Sequence, residues 1–237
     1  MTAGAVAPAS AKFYEWNLVP PLGSSSGRSA ILAELSQFRG RILYANGRRP
    51  GFRQPGSGYA DDDPLDVNSF HVTVRTEGQL VGYIRIRPLP EHGQSSNGLL
   101  ITGREFATLL QEMGLARHAC LEVGRWTVAP PARGTAIGRT LVLSAWAVGR
   151  WLGKRRLIAT AGTRDGQANM LTRFGGQLPR SLSAKYVGEY DDELSLMYFD
   201  LDQPPPRVAA QLPFVERLLE LSDSRLEAES NLAEAVR

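Results

Sequence analysis

Hydrophobic and polar positions along the chain predict helices and strands in a mixed order. Apolar residues recur at helical spacing in residues 31–47, 104–113 and 134–153, which predicts three helices. Alternation in residues 70–86 predicts a β-hairpin that turns at Glu77-Gly78, and β-forming residues fill 119–129. The remaining segments predict a short strand at 155–162, a helix at 165–175 and a second hairpin that turns at Asp191-Asp192. This order is typical of an α+β domain built on one sheet.

Turn-forming and proline-rich segments divide the chain into three parts. Residues 1–28 end in a Gly- and Ser-rich stretch and are expected to be a flexible lead-in, so regular structure should begin near Ser29. Residues 29–203 are expected to form the domain, and residues 204–237 a C-terminal amphipathic helix with an acidic tail. That helix could cover the core or pair with another subunit. Residues 46–68 lack apolar periodicity and predict a long loop.

Composition is that of an ordinary globular chain. Hydrophobic residues make up 43% and charged residues 22% of the 237 positions, which excludes disordered and fibrous classes. No apolar run approaches the roughly 20 residues of a membrane crossing, and the first residues lack a signal-peptide pattern, so a cytoplasmic protein is expected. Metal-ligand spacing is absent from the residues that could supply it, which are His71, His92, His118 and Cys120.

The net charge of +3 conceals an uneven distribution. Residues 133–180 hold nine basic residues and one acidic residue, whereas residues 181–237 hold five basic and twelve acidic residues. The basic segment suggests an anionic partner such as a phosphate group, an acidic protein or nucleic acid. It could instead be a solvated face that the acidic C-terminal segment neutralises. Nucleic acid is not expected, because aromatic residues are sparse there and no groove-reading motif is present.

A glycine-containing turn between a strand and a helix carries the most specific local pattern. Residues 128–141 read VAPPARGTAIGRTL, with Arg133 and Arg139 on either side of Gly134 and Gly138. The N–H groups at a helix N-terminus and the small residues beside them can hold a pyrophosphate. An ordinary strand-to-helix turn is the alternative, since glycine motifs alone are weakly specific.

This turn resembles the cofactor loop of the GNAT acyltransferases, in which Arg or Gln is followed by two residues, Gly, one residue, and Gly or Ala. Ala136 occupies the place of the first of these glycines. The resemblance implies an acyl-thioester donor, acyl-CoA or the phosphopantetheine of acyl carrier protein. Its arm would lie in a gap between splayed strands near Arg125–Val128. The implied donor-binding residues are Trp126, Thr127, Val128, Arg133, Gly134, Ala136, Gly138 and Arg139.

A second set of motifs is similar to the acyl-homoserine-lactone (autoinducer) synthases and the N-acyl amino acid synthases. The matching positions, in family order, are Asp63, Asp66, Arg85, Glu122 and Arg125. Together the two resemblances, over about residues 30–180, imply a GNAT-like three-layer fold with a central, mostly antiparallel, twisted sheet flanked by helices. The tryptophan-containing segment of the lactone synthases has no match here, so the acceptor stays open.

Acyl transfer to an amine gives these residues roles. A carboxylate must take a proton from the amine directly or through water, and Glu122 is the candidate base. A backbone N–H near residues 126–128 would stabilise the oxyanion. Asp63 and Asp66 could bind the substrate ammonium, while Arg85 and Arg125 hold its carboxylate or fix the acids. Alternatively, Glu122 and Arg125 form one structural ion pair. Residues three apart in a strand share a face only if a bulge lies between them.

Four cations near the end of the long helix are candidates for docking an acyl carrier protein. They are Arg150, Lys154, Arg155 and Arg156. Carrier proteins of the resembling synthases are acidic, so this patch would attract them. Cations at a helix C-terminus also complement the helix dipole, which is the structural alternative.

The sequence therefore predicts an acyltransferase that moves a medium or long acyl chain to the amine of a small amino-acid-like acceptor. Residues 169–175 lack the tyrosine that many acetyl-transferring relatives carry, which favours the autoinducer-like branch. Two alternatives stay open: a conventional acetyl-CoA-dependent acetyltransferase and a catalytically idle binding module. An acyl pocket in the form of a deep apolar tunnel would favour transfer of a medium or long acyl chain, and a shallow slot would favour the acetyltransferase.

Overall fold

The computed structural model describes residues 13–21, 29–44, 53–54, 58–91, 102–164 and 166–221. The strands are β1 (Glu15–Val19), β2 (Arg53–Gln54), β3 (Gly58–Tyr59), β4 (Phe70–Thr76), β5 (Gln79–Pro88), β6 (Cys120–Val128), β7 (Arg156–Gly162), β8 (Lys185–Val187) and β9 (Asp192–Asp200). The α-helices are α1 (Ser29–Tyr44), α2 (Gly103–Met113), α3 (Ile137–Trp151), α4 (Gln167–Arg173), α5 (Pro206–Ala209) and α6, at residues 212–221. The predicted acidic tail lies outside the described residues.

One seven-stranded sheet organises the domain, in the order β1-β4-β5-β6-β7-β9-β8. Strands β6 and β7 pair in parallel, and the other neighbours in this sheet pair antiparallel. Helices α1 and α2 pack on one face, hereafter the α1/α2 face. Helices α3, α4 and α6 pack on the other, the α3/α4 face. The predicted three-layer α+β fold with a mostly antiparallel sheet is confirmed.

Local turn chemistry sets the boundaries of several elements. Glu77 and Gly78, which join β4 to β5, both have positive φ, at 51° and 73°. This is the backbone of a type I′ turn, whose twist suits a two-residue hairpin. The predicted first hairpin is therefore confirmed. Helix α2 begins with a capping box between Thr102 and Glu105 and ends at Gly114, at φ 63°.

The N-terminal lead-in is a correction to the sequence prediction. Among the described residues, the first regular element is β1, which pairs antiparallel with β4 and buries Leu18 in the main core. The expectation that structure starts near Ser29 is therefore wrong. Strand β1 is short, and its partner lies more than fifty residues further along the chain. Long-range pairing of this kind leaves little trace in the local hydrophobic pattern.

The C-terminal segment packs on the same core as the rest of the domain. Val208, Leu212, Val215 and Leu219 are at most 1% exposed and lie in the cluster that α3 builds on the sheet. Their spacing of three and four residues places the last three on one face of α6. Of the two roles open to this helix, covering the core is the one that the structure displays. None of the described helices has the length and hydropathy that a membrane crossing requires.

Candidate active site

The sheet opens between β6 and β7. These strands pair only as far as Val123 and Ala159, although β6 continues to Val128 and β7 to Gly162. A cavity of about 960 Å³ occupies the opening. Its walls include Arg85 and Leu194 from the α1/α2 face, together with side chains from the α3/α4 face. The cavity therefore passes through the sheet and joins its two faces.

The inner part of the cavity on the α3/α4 side is apolar. Its walls come from α3, α4, β7 and β9, and several of these side chains are almost completely buried. The apolar lining residues here are Val142, Ala145, Leu157, Ala159, Met170, Leu171, Phe174 and Phe199. The cavity thus extends into the main hydrophobic core and is not a shallow groove on the surface.

The glycine-containing turn lies at the edge of this apolar chamber. Gly134 has φ 78°, and a Cβ on Gly138 would lie 3.4 Å from the ring of Trp126. The first intrahelical bond of α3 is donated by the N–H of Thr140 to Ala136, and the N–H of Ile137 donates to the hydroxyl of Thr135. The N–H groups of Gly138 and Arg139 have no acceptor within the described part of the chain and are available to an anion. Residues that line the cavity here are Trp126, Thr127, Val128, Arg133, Gly134, Gly138 and Arg139. Ala136 is exposed and does not line the cavity, contrary to the prediction.

A bulge in β6 brings Arg125 onto the α1/α2 face. The register between β5 and β6 shifts between Tyr83 and Arg85, and Arg125 has a positive φ of 54°. Glu122, opposite Arg87, and Gly124, opposite Arg85, lie on that face. The extra residue turns Arg125 to the same side. The bulge that the sequence required between Glu122 and Arg125 is thus present.

Six buried charges form a closed ring on the α1/α2 face. Its members alternate in sign, and each arginine joins two aspartates, in the order Arg39, Asp61, Arg125, Asp63, Arg85 and Asp66. The six N–O distances run from 2.6 to 3.1 Å. Arg125 is 20% exposed at its side chain, and the other members at most 9%. Arg125 is therefore the member most open to the cavity.

The aspartates of the ring pair with its arginines and do not line the cavity. Asp63 and Asp66 do not line it, so the predicted direct contact with a substrate ammonium is absent, whereas Arg85 and Arg125 do line it. Burial alone would raise the pKa of Asp63, but Arg85 and the hydrogen bond from Arg125 outweigh burial and hold that pKa well below its usual range. Asp63 is therefore a fixed anion. Of the two roles predicted for Arg85, fixing the acids is observed.

Glu122 is a second correction. Its carboxylate accepts a hydrogen bond from Arg87 at 3.2 Å, it is 2% exposed, and it does not line the cavity. Glu122 lies where β6 is still paired with β7, opposite Ile158, whereas Arg125, on the same face, lies beyond the last pair and lines the opening. A direct contact of Glu122 with a substrate amine in the cavity is therefore not supported, and the route through water that the sequence also allowed stays a prediction.

Sequence reasoning missed two residues at the start of β9. Tyr190 and Asp192 both line the cavity, and Asp192 is 8% exposed. Asp192 accepts a hydrogen bond from the backbone N–H of Arg164 at 3.1 Å, and its carboxylate lies directly over Gly162. The sequence indicated only a hairpin turn at this point. Nothing in the local pattern indicated that the turn reaches the opening between β6 and β7.

Arg39 and Asp61 were also missed. The sequence did contain a signal for Arg39, because it follows Leu35 by four residues and precedes Ile42 by three, which places a charge on the buried face of α1. A buried arginine requires acidic partners. Asp61 lies beside the aspartates that the motif identified, and only the folded loop distinguishes its role from theirs.

The predicted docking patch is largely neutralised. Arg150 pairs with Glu216 at 3.6 Å, and Arg155 pairs with Asp202 at 2.9 Å. Arg156 is 15% exposed at its side chain and pairs with Asp200 at 2.8 Å. Lys154 donates a hydrogen bond to the backbone carbonyl of His118. These contacts favour a structural role for the patch over docking, with nearby acidic residues balancing its charge, as the sequence allowed for the whole basic segment.

Comparisons with known proteins agree with this geometry. The profile of the acetyltransferase (GNAT) family matches residues 40–175, which is more than half of the chain. No curated protein sequence matches the chain. Three solved structures share the fold at low sequence identity.

BjaI, a CoA-dependent acyl-homoserine lactone synthase with SAM and isopentyl-CoA, has a TM-score of 0.61 and 14% identity over 87% of this chain and 90% of BjaI. TofI, in a ternary complex with an inhibitor and MTA, has a TM-score of 0.58 and 19% identity over 86% of this chain and 99% of TofI. FeeM, an N-acyl amino acid synthase from uncultured soil microbes, has a TM-score of 0.57 and 10% identity over 90% of this chain and 98% of FeeM. The predicted resemblance is confirmed at the level of the fold. The chain belongs to the acetyltransferase (GNAT) family and is an acyltransferase.

Proposed function

We propose that this protein transfers a medium or long acyl chain from a thioester of CoA or acyl carrier protein to the amine of a small amino-acid-like acceptor. The observation that carries the proposal is the cavity through the sheet, which joins an apolar chamber on the α3/α4 face to a charged chamber on the α1/α2 face. An acyl chain longer than acetyl has apolar walls to contact, and a polar acceptor can approach from the opposite side.

The donor side is assigned to the turn before α3 and to the apolar chamber. N–H groups of the first turn, with Arg133 and Arg139, would hold the phosphate groups of the donor. The thioester supplies an activated acyl carbon when it is bound. Its carbonyl oxygen gains negative charge on attack, and a backbone N–H within residues 126–128 can stabilise that charge. Such a donor is worth about 2.7–4 kcal/mol in comparable sites.

The acceptor side is assigned to Arg125 and Asp192. Arg125 lines the cavity and would bind the carboxylate of an amino-acid-like acceptor, while the ring of aspartates fixes its position. Since Glu122 does not line the cavity, we assign the proton-accepting role to Asp192, whose carboxylate does. Glu122 then holds Arg87 beside the ring as a positioning residue.

The test is a substrate survey of the purified protein. Acyl-CoA and acyl carrier protein donors, from acetyl to dodecanoyl, are incubated with a mixture of amino acids and related amines, and the products are identified by mass spectrometry. Octanoyl to dodecanoyl amides should predominate. Asp192→Asn should lower kcat by at least about tenfold, as expected for loss of a general base. Asp191→Asn is the matched control, because this neighbour is exposed and pairs with Arg164.

Two outcomes would replace the proposal. Turnover with acetyl-CoA and none with longer chains would identify a conventional acetyltransferase, the activity that gives the matched family its name. No turnover with any amine, while CoA still binds, would identify a catalytically idle binding module.

A further inference from the structure

Four arginines line the cavity without an ion-pair partner among the residues that the structure describes. They are Arg133, Arg139, Arg173 and Arg207. All four are exposed, so their charges face solvent at the mouth of the cavity. By contrast, Arg150, Arg155 and Arg156 of the predicted docking patch are each paired with an acidic side chain. Unbalanced positive charge is thus concentrated at the cavity and not at the patch.

The four arginines belong to two different walls. Arg133 precedes α3 and Arg139 lies in its first turn, whereas Arg173 ends α4 and Arg207 lies in α5. The first three lie within the segment that the family profile matches, at residues 40–175. Arg207 lies outside it, in the C-terminal segment that packs on the core. The second wall is therefore partly a feature of this chain and not of the family pattern.

Close packing fixes the second wall. A Cβ on Gly175 would lie 2.6 Å from Pro205, so the glycine lets the chain after α4 approach the start of α5. The guanidinium of Arg207 lies over the ring of Phe174, 5.8 Å from its centroid. Phe174 is 9% exposed and packs in the main core. Arg207 is thus held beside the residue that follows Arg173, and both arginines line the same cavity.

We propose that Arg173 and Arg207 form a second phosphate subsite, which binds the 3′-phosphate of CoA and makes a CoA thioester the preferred acyl donor. The inference rests on the proposed function and deepens it. CoA carries a pyrophosphate and a separate 3′-phosphate, whereas the arm of a carrier protein carries a single phosphodiester. The turn before α3 accounts for one phosphate group, and only CoA has another to occupy the second wall. Guanidinium groups bind phosphate through charge-assisted hydrogen bonds.

The ion pairs within the predicted docking patch also favour CoA over acyl carrier protein as the donor. An acidic carrier protein needs unbalanced positive charge on a docking surface outside the cavity. Arg155 and Arg156 share Asp202 within 4.0 Å, and Asp200 also pairs with Arg156, so little charge is left for a protein partner there. A small polyanion that enters the cavity mouth finds the unpaired arginines instead.

The test measures binding without any acceptor, by titration calorimetry of CoA and 3′-dephospho-CoA. The wild-type protein should bind CoA at least about tenfold more tightly than dephospho-CoA, and added salt should reduce that preference. The double variant Arg173→Gln/Arg207→Gln should lose the preference and keep its affinity for dephospho-CoA. The control Arg155→Gln removes an exposed arginine outside the cavity and should keep the preference. Circular dichroism confirms that each variant is folded.

Equal affinity of the wild-type protein for the two ligands would overturn the inference, as would an equal loss of preference in Arg155→Gln. A kcat/KM for acyl carrier protein that exceeds that for the same acyl-CoA would overturn it too. Failure of the proposed function gives a different result, namely no acyl transfer although the preference for CoA in binding is intact.

Discussion

The buried, neutral imidazole of His71 should make the free energy of unfolding fall as the pH is lowered. The imidazole is completely buried, with Nε2 2.9 Å from the carbonyl oxygen of Asp66 and Nδ1 2.9 Å from the hydroxyl of Tyr83. A carbonyl oxygen can only accept, so Nε2 carries the proton and Nδ1 accepts from Tyr83. Arg39 in turn donates to the Tyr83 hydroxyl at 3.2 Å. His71 therefore connects the loop of the charged ring to the sheet.

Burial lowers the pKa of His71 to about 4; the Asp66 charge opposes this shift, while Arg39 and Arg85 reinforce it. The unfolded chain titrates at about 6.5, so between pH 6.5 and 4 the unfolded state binds the additional proton. Stability from this group is complete above pH 6.5 and is lost as the pH falls towards 4. The slope is about 1.4 kcal/mol per pH unit, and the whole effect is about 3 kcal/mol.

Urea unfolding from pH 7.5 to 4.5 tests this expectation in the wild-type protein and in His71→Gln. The free energy of unfolding of the wild-type protein should fall by about 2–3 kcal/mol more than that of the variant, because glutamine does not titrate. Carboxylates common to both proteins cancel in the comparison. His118→Gln, which alters an exposed histidine, is the control. Parallel pH profiles of the wild-type protein and His71→Gln would refute the reasoning.

Three further substitutions test the packing and charge of the site. Gly40→Ala should lower the free energy of unfolding, measured by urea unfolding, by about 1–3 kcal/mol, because its Cβ would lie 2.7 Å from the backbone nitrogen of Ala60. An unchanged free energy of unfolding would contradict this close approach. Asp66→Asn should lower the free energy of unfolding in the same urea assay by about 3–5 kcal/mol, since it leaves buried arginines uncompensated. An unchanged free energy of unfolding would mean that the ring is not closed in solution. Gly162→Ala should lower kcat and leave donor binding intact, because its Cβ would collide with the Asp192 carboxylate. A normal kcat would argue against the role of Asp192.

Much of the fold could be predicted because it depends on near neighbours in the chain. The hairpin at Glu77-Gly78 follows from a turn whose residues adopt positive φ, and the main helices follow from apolar spacing. Strand β1 could not be predicted in this way, since its pairing with β4 is long-range. In the site, the motif identified Asp63, Asp66 and Arg85 but not the direction in which their side chains point.

The sequence by itself determined the α+β order of elements, the turn before α3 and the need for a bulge between Glu122 and Arg125. Only the tertiary structure decided which carboxylates face the cavity. Glu122 lies in the part of β6 that still pairs with β7, whereas the start of β9 brings Asp192 to the opening. The charged ring joins residues as far apart as Arg125 and Asp63, which are 62 positions apart. Contacts at that separation depend on strand register and helix packing, and a local pattern specifies neither.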